Sequence, residues 1–391
     1  MDQNDFRKST SGQLTRTLGG HWAFVPHNLP PKINWSEDLV ISLSAADRAL
    51  GELAGHGRSL PNPRLLVRPF VRREAVLSSR IEGTQASLTD LYAYEARRST
   101  LWTSSPDARD VHNYVQALDY GLRRLRTLPV SLRLIRELHA QITEGVRGMA
   151  LFSGEFRNRQ NWIGTPGTPI ELAIYVPPPV EQMQELLSSF EQFLHAASDL
   201  PPLIRLGMIH YQFEAIHPFI DGNGRLGRLL TSLLMCSWGV LPQPLLYLSA
   251  YFNAERAAYY DNLLIVSREG AWNEWLRFFL RGVLLQSNDA VRRIRRITDL
   301  RDSYRSQFQV AKAGGRLMLV IDYLFERPVL SVNSLAKELG VGYATANRYI
   351  AKLQDAGVIR ELTGQARNRV YRADDVLSAF DEPLMAVVES T

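Results

Sequence analysis

Cysteine is almost absent: Cys236 is the single one in 391 residues, which excludes a disulfide framework and a cysteine metal cluster. It lies in the apolar stretch "LLTSLLMCSWGVL", where a small core residue is expected rather than a nucleophile. Long hydrophobic runs are missing too. That same stretch is the longest, and it is interrupted and reaches a proline too early to span a bilayer. The leading "MDQNDFRKST" has no apolar core of the signal-peptide kind, so a cytoplasmic location and no membrane partner are expected. Lysine is scarce and no GxxxxGK(S/T) string occurs, which removes the P-loop as a phosphate cradle. Neither charge sign dominates strongly: the formal net charge of +5 permits acidic partners without making a polycationic coat.

What is present is mostly helical pattern, in a chain long enough for two or three domains. Residues 1 to about 35 are polar and rich in Gly and Pro; amphipathic helical spacing then runs to about 310. One β-prone exception, "NWIGTPGTPIELAIYVPPP" at 161–179, reads as a hairpin or flap closed off by prolines. Leu203, Leu206, Ile209, Phe213 and Ile216 form a helical stripe leading into "HPFIDGNGRLGRLL", which begins at His217. After it, Leu226, Leu229, Leu230, Leu233 and Leu234 recur at three- and four-residue steps, so a second helix starts inside the string.

That placement gives the string its chemistry. A Gly-rich loop entering a helix N-terminus aims free backbone N–H groups and the positive end of the helix dipole at one point, an anion site. Asn223 adds an amide donor, and Arg225 and Arg228, three apart, can fork onto phosphate oxygens. A nucleoside triphosphate is the natural occupant. Asp221 beside this positive nest would repel phosphates unless Mg²⁺ lay between them, so it reads as a metal ligand. His217 titrates in the range that lets it take a proton from an attacking hydroxyl. Phe219 is expected to bury and fix the loop.

The string resembles the Fic signature HxFx(D/E)GNGRxxR, with His217, Phe219, Asp221, Gly222, Asn223, Gly224, Arg225 and Arg228 all in place. The resemblance implies a mainly α-helical Fic core with a β-hairpin flap. It also implies transfer of AMP from ATP to a Ser, Thr or Tyr hydroxyl of a target protein or of the chain itself, releasing pyrophosphate. In these terms His217 is the base and Asp221 holds Mg²⁺, while Gly222, Asn223, Gly224, Arg225, Leu226, Gly227 and Arg228 surround ATP. A phosphate-transferring branch carries lysine where this chain has Gly224. "GEFRNRQNWIG" and "AIYVPPP" are similar to the family's pre-flap and flap, which aligns a target segment by strand addition. "YFNAERAAYYDNLL" is similar to the segment over adenine, and Tyr260 is its candidate base contact; an ordinary core tyrosine is the equal alternative.

"REAVLSSRIEGTQASL" places Ser78 and Glu82 four apart on a helix face, with Gly83 following. It resembles the inhibitory motif (S/T)xxxE(G/N) of Fic proteins with an amino-terminal brake, which implies that Glu82 pairs with Arg228 and occupies γ-phosphate space.

The carboxyl third, "RLMLVIDYLFERPVLSVNSLAKELGVGYATANRYIAKLQDAGVIRELTGQARNRVYR", reads as three helices and two short β-prone runs, the order of a winged helix-turn-helix. Its third helix would offer Tyr343, Thr345, Asn347 and Arg348, and its wing Gln365, Arg367 and Arg369. DNA contact and a protein-docking or homodimer role are both open. The preceding "VRRIRRITDLRDSYR" reads as a solvated basic linker helix. The expected layout is an amino-terminal helical region over 1–125 with the inhibitory helix at about 70–88, a Fic domain over 126–290, a linker over 291–312 and the winged helix over 313–375. A nucleotide-sensing DNA-binding regulator is the alternative to an adenylyltransferase.

Overall fold

A computed structural model describes residues 1–59, 62–97, 106–145, 152–165, 167–310, 315–364 and 369–381. It opens with strands β1 (Gly12–Arg16) and β2 (Trp22–Pro26), paired antiparallel from Gly12↔Pro26 to Arg16↔Trp22. The polar, Gly- and Pro-rich composition of this segment gave no strand signal. Tertiary burial makes the hairpin: Phe24 is fully buried, and its N–H donates to Val176 O at 2.9 Å.

A helical body follows, with α1 (Glu37–Ser59), α2 (Arg64–Ile81), α3 (Leu88–Arg97), α4 (Pro106–Arg124), α5 (Leu132–Ile142) and α6 (Val180–His195). It continues through α7 (Pro202–Ile216), α8 (Asn223–Ser237), α9 (Ser249–Ala254), α10 (Arg256–Glu269) and α11 (Trp272–Val310). The leucine stripe understates α7. Its Leu203, Gly207, Tyr211 and Ala215 are buried as well as Ile209 and Phe213, because α6, α8, α10 and α11 surround it. Such an all-round apolar helix is the core of the bundle. The expected flap hairpin is reduced to one antiparallel bridge, Ile163↔Tyr175, with a 3₁₀ turn over Ile170–Leu172. Three prolines, Pro177, Pro178 and Pro179, withhold the N–H groups that would extend the ladder.

The expected solvated linker is not one. Residues 291–310 continue α11 without a break, and Val291, Ile294, Ile297 and Tyr304 are buried. Arg293, 1 % exposed, donates to Asp289 Oδ2 at 2.7 Å and to Phe380 O at 2.7 Å. The basic run conceals an apolar stripe on one face, and α1 and the carboxyl-terminal module cover it.

That module comprises α12 (Gly315–Glu326), β3 (Val329–Ser331), α13 (Val332–Leu339), α14 (Tyr343–Asp355), β4 (Arg360–Glu361), β5 (Val370–Arg372) and α15 (Asp374–Asp381). Its sheet order is β3-β5-β4, all antiparallel, a winged helix-turn-helix. Strand β3 was not legible as a strand; three residues carry too little alternation to register. Ser331 and Ser334 then cap α13 reciprocally. The module leans on α2 through Arg68–Glu326 at 3.0 Å and an edge-on contact of Phe70 with Phe380 at 6.0 Å. Among the described residues no helix is long and apolar enough to cross a membrane.

Candidate active site

The site forms where α7 stops and α8 begins. His217 caps α7 at φ 49°, ψ 60°, and is the only non-glycine with positive φ among the described residues. Such a conformation costs on the order of 1 kcal/mol and persists only where surroundings enforce it. Here Arg157 Nε donates to His217 O at 3.0 Å, and Arg157 is itself 2 % exposed. Asn161 Nδ2 donates to Phe219 O at 2.9 Å, which ties the same loop to the flap.

The protonation of His217 follows from its partner. Its Nδ1 lies 3.3 Å from Glu214 O, and a carbonyl can only accept, so the proton sits on Nδ1 and the lone pair on Nε2. Burial, with Arg157 nearby, pushes the imidazole down to about 4. It is therefore neutral at pH 7, the state a proton acceptor requires.

Asn223, expected to add an amide donor to the nest, is buried and has one of its two N–H groups engaged within the loop. Its Oδ1 accepts from Phe219 N and its Nδ2 donates to Phe219 O, both at 2.9 Å, so the side chain is a clasp that shapes the loop. The anion donors left are backbone N–H groups at the start of α8, which Gly222 enters in the left-handed conformation, together with the arginines. Leu226 is fully buried behind them, and Gly227 abuts the Glu214 carboxyl.

Asp221 is the exposed acid of the loop. Its Oδ1 accepts from Gly222 N at 2.6 Å, and its Oδ2 lies 3.9 Å from Arg225 Nη2. Arg225 is buried, 3.8 Å from Asp110 Oδ2, and its Nε has no partner. No group of three His, Cys, Asp or Glu side chains that could hold a metal occurs among the described residues. A single open carboxylate fits Mg²⁺, which keeps waters and takes further oxygens from a bound phosphate.

The structure brings the two distant motifs together. Helix α2 ends at Ile81, earlier than the expected 88, and Glu82 is its C-cap. Gly83 follows at φ 101°, a turn that Cβ-bearing residues rarely make, so the glycine of the motif is a backbone requirement. Arg228, 3 % exposed, donates from Nε to Ser78 Oγ at 2.8 Å, and from Nη2 to Ser78 O at 2.9 Å and Glu82 Oε1 at 2.7 Å. The paired carboxylate raises the Arg228 pKa although burial opposes it. A Cβ on Gly224 would crowd the Glu82 carboxylate, which lies against the first turn of α8. Tyr260 stays 40 % exposed on α10, its ring tilted at 45° to that of Tyr259 with centres 5.2 Å apart, and within charge range of Glu82 and Arg228.

Two supporting residues escaped the sequence reading. His139 on α5 stacks on Phe219 with ring centres 3.8 Å apart, accepts from Gly154 N at Nδ1 and so donates from Nε2 to Asp221 O at 3.0 Å. Burial holds it down to about 4, neutral as that pattern needs. Arg157 is the second, part of the quoted "GEFRNRQNWIG" but with no spacing signal for its carbonyl contacts. Cys236 is half-buried, and burial pushes its thiol up to about 12, which suits a packing residue.

Helical bundle, glycine-entered anion loop and clamped second arginine together define a class, and family models agree with it. The Fic/DOC family N-terminal model matches residues 40–123, the Fic/DOC family model 129–235, and the winged helix-turn-helix DNA-binding model 318–360. The chain carries Fic/DOC family sequence in two consecutive stretches, residues 40–123 and 129–235. It is 30 % identical over 176 residues to "Protein adenylyltransferase Fic" of Drosophila virilis, covering 43 % of this chain and 33 % of that protein. The same protein of Drosophila ananassae is 28 % identical over 176 residues, with 43 % and 32 % covered. The chain thus spans about a third of the length of the curated relatives it matches. A Fic family protein from Desulfovibrio desulfuricans shares the fold, with a TM-score of 0.57 at 20 % identity over 88 % of this chain and 98 % of that one.

Proposed function

We propose that the protein is an adenylyltransferase that moves AMP from ATP to a Ser, Thr or Tyr hydroxyl of a target protein or of itself, and that Glu82 holds it in check. The carrying observation is the join between Arg228 and Ser78–Glu82, a buried clamp laid across an anion nest. His217 Nε2 takes the hydroxyl proton as the oxygen bonds to the α-phosphorus, and the bond to pyrophosphate breaks. Backbone N–H groups of α8 and Arg225 balance the developing charge. Asp221 is the residue that would hold Mg²⁺, whose charge would help neutralise the phosphates when bound.

Two features support inhibition. Ser78 and Glu82 take the Nε and Nη2 donors of Arg228, so a terminal phosphate must compete with them for the guanidinium, and the Glu82 carboxylate adds negative charge at that point. Tyr260 at the rim is the proposed base contact. The exposed Tyr343, Asn347 and Arg348 of α14 favour a second reading, a nucleotide-sensing DNA-binding regulator. Incubating the purified chain with labelled ATP and Mg²⁺ separates the two: covalent label on the chain requires turnover, whereas a sensor binds and releases ATP unchanged.

A further inference from the structure

A carboxyl that no step above uses lies one helical turn before the clamp. Glu74 is 1 % exposed on α2, four residues ahead of Ser78 and therefore on the same face. Burying an acid is costly unless its oxygens are paired, and here three donors meet it: the Ser249 hydroxyl, Ser249 N at 3.3 Å and the Tyr114 hydroxyl at 3.2 Å. Burial raises its pKa, while those donors and the Arg228 charge oppose the rise. Glu74 thus joins α2 to α4, which carries Tyr114, and to the first residue of α9.

The contacts run on to Arg228. Tyr114, fully buried, gives its proton to Glu74, so its oxygen is left to accept, and the Ser78 hydroxyl is hydrogen-bonded to it. Ser78 Oγ in turn accepts from Arg228 Nε at 2.8 Å, and Ser78 O accepts from Nη2 at 2.9 Å. Every proton in this series has one direction: Arg228 to Ser78, Ser78 to Tyr114, Tyr114 to Glu74. As a carboxylate Glu74 can only accept, so it ends the series. Glu82 takes one N–H of Nη2, and Nη1 lies beside Gly224 of the anion loop. Ser78 therefore fixes where the rest of the fork points.

We infer that Glu74 and Tyr114 are positioning residues that aim Arg228 at the γ-phosphate through Ser78, so that the clamp has two separable halves: Glu82 gives way to the nucleotide, and Ser78 stays. The inference rests on the reading of Arg228 as the γ-phosphate ligand. An arginine side chain has many rotamers, and one held at Nε keeps its fork preorganised for phosphate.

The test is calorimetry with Mg²⁺ and the α,β-methylene analogues of ATP and ADP, neither of which can release AMP. The Glu82→Gly chain should prefer the triphosphate at least about tenfold, and Arg228→Ala added to it should abolish that preference. Tyr114→Phe deletes one hydroxyl and Glu74→Gln one acceptor oxygen. Each, added to Glu82→Gly, should lower the preference about threefold or more while leaving diphosphate affinity unchanged. Damage of a merely structural kind would weaken both nucleotides together. Either variant that keeps the full preference, or weakens both analogues equally, overturns the inference while Arg228→Ala still abolishes the preference; Tyr114→Phe decides alone should Glu74→Gln fail to fold. A Glu82→Gly chain without the preference, or one that keeps it after Arg228→Ala, sinks the reading of Arg228 and the inference with it.

Discussion

The loop from His217 to Arg228 and the helix from Tyr343 to Asp355 both carry polar side chains suited to phosphate, but they differ in what surrounds them. In the loop, Arg225 and Arg228 are 6 % and 3 % exposed, and Arg228 is bound to named partners at hydrogen-bonding distance. On α14, Tyr343 is 60 % exposed, Asn347 and Arg348 face solvent, and Arg348 donates to Thr345 Oγ1 at 3.3 Å. On the wing, Arg369 lies 3.7 Å from Glu361, while Gln365 and Arg367 fall outside the described residues. A buried charge must be compensated, so its partner reveals its purpose; an exposed one is compensated by water and reveals little.

The comparison breaks first at His217. His217→Ala should lower self-modification by about 10²–10⁴-fold while ATP affinity, measured by calorimetry, survives, because the base is lost and the nest is not. An undiminished rate would remove His217 from the proton step. The pH profile sharpens the same point. A folded-state value near 4 keeps the imidazole neutral above pH 5, so His217 should give no acid limb near 6.5, and its loss of rate should come near pH 4.

Next in size is the clamp. Glu82→Gly should raise self-modification at least about tenfold by freeing Arg228 for the γ-phosphate, since misplacement by about 1 Å can cost on the order of 10²-fold. Arg228→Ala in the same chain should cancel the gain, as expected of coupled groups. A Glu82→Gly protein no faster than the parent at saturating ATP would return Glu82 to the role of a helix cap.

Smaller still is the effect of Glu214, which burial raises to about 7 although Arg228 opposes this and Glu82 adds to it. Its Oε1 has no partner. A carboxyl with a raised folded-state pKa contributes stability below its unfolded value near 4.5, and that contribution is lost as pH rises through about 7. Glu214→Gln should therefore flatten the fall in stability between pH 5 and 8, by on the order of 1 kcal/mol in denaturant melts. Parallel pH dependences in the two proteins would show that Glu214 titrates normally.

The least effect belongs to the exposed helix. Arg348→Ala should leave self-modification unchanged and, if α14 meets DNA, reduce the salt slope of duplex binding by about one. Absence of any low-salt duplex shift by the parent chain would favour a protein-docking role for this module.

The contrast also explains what could be read beforehand. Helices α7 and α8 announce themselves by leucine spacing, and the anion loop by glycines and arginines at fixed steps, because local geometry alone puts those groups on one side. The β1–β2 hairpin, the apolar stripe of α11 beyond residue 291 and the brevity of the flap ladder left no such mark, since each depends on what packs against it.

The sequence by itself determined the family, the glycine-entered anion loop and the Ser78, Glu82 and Gly83 pattern, for these are periodicities and short-range constraints of φ and charge. Only the tertiary structure decided that Asn223 clasps Phe219 and that Arg157 and His139 hold the loop, whereas the meeting of Glu82 with Arg228 bears out what the family resemblance implied. Those contacts join residues 60 to 146 positions apart, except for Asn223, and local propensity is blind to such distances. Their partners are chosen by desolvation: a polar group carried into the core accepts whichever complement the packing of α2, α5 and α8 brings within about 3 Å.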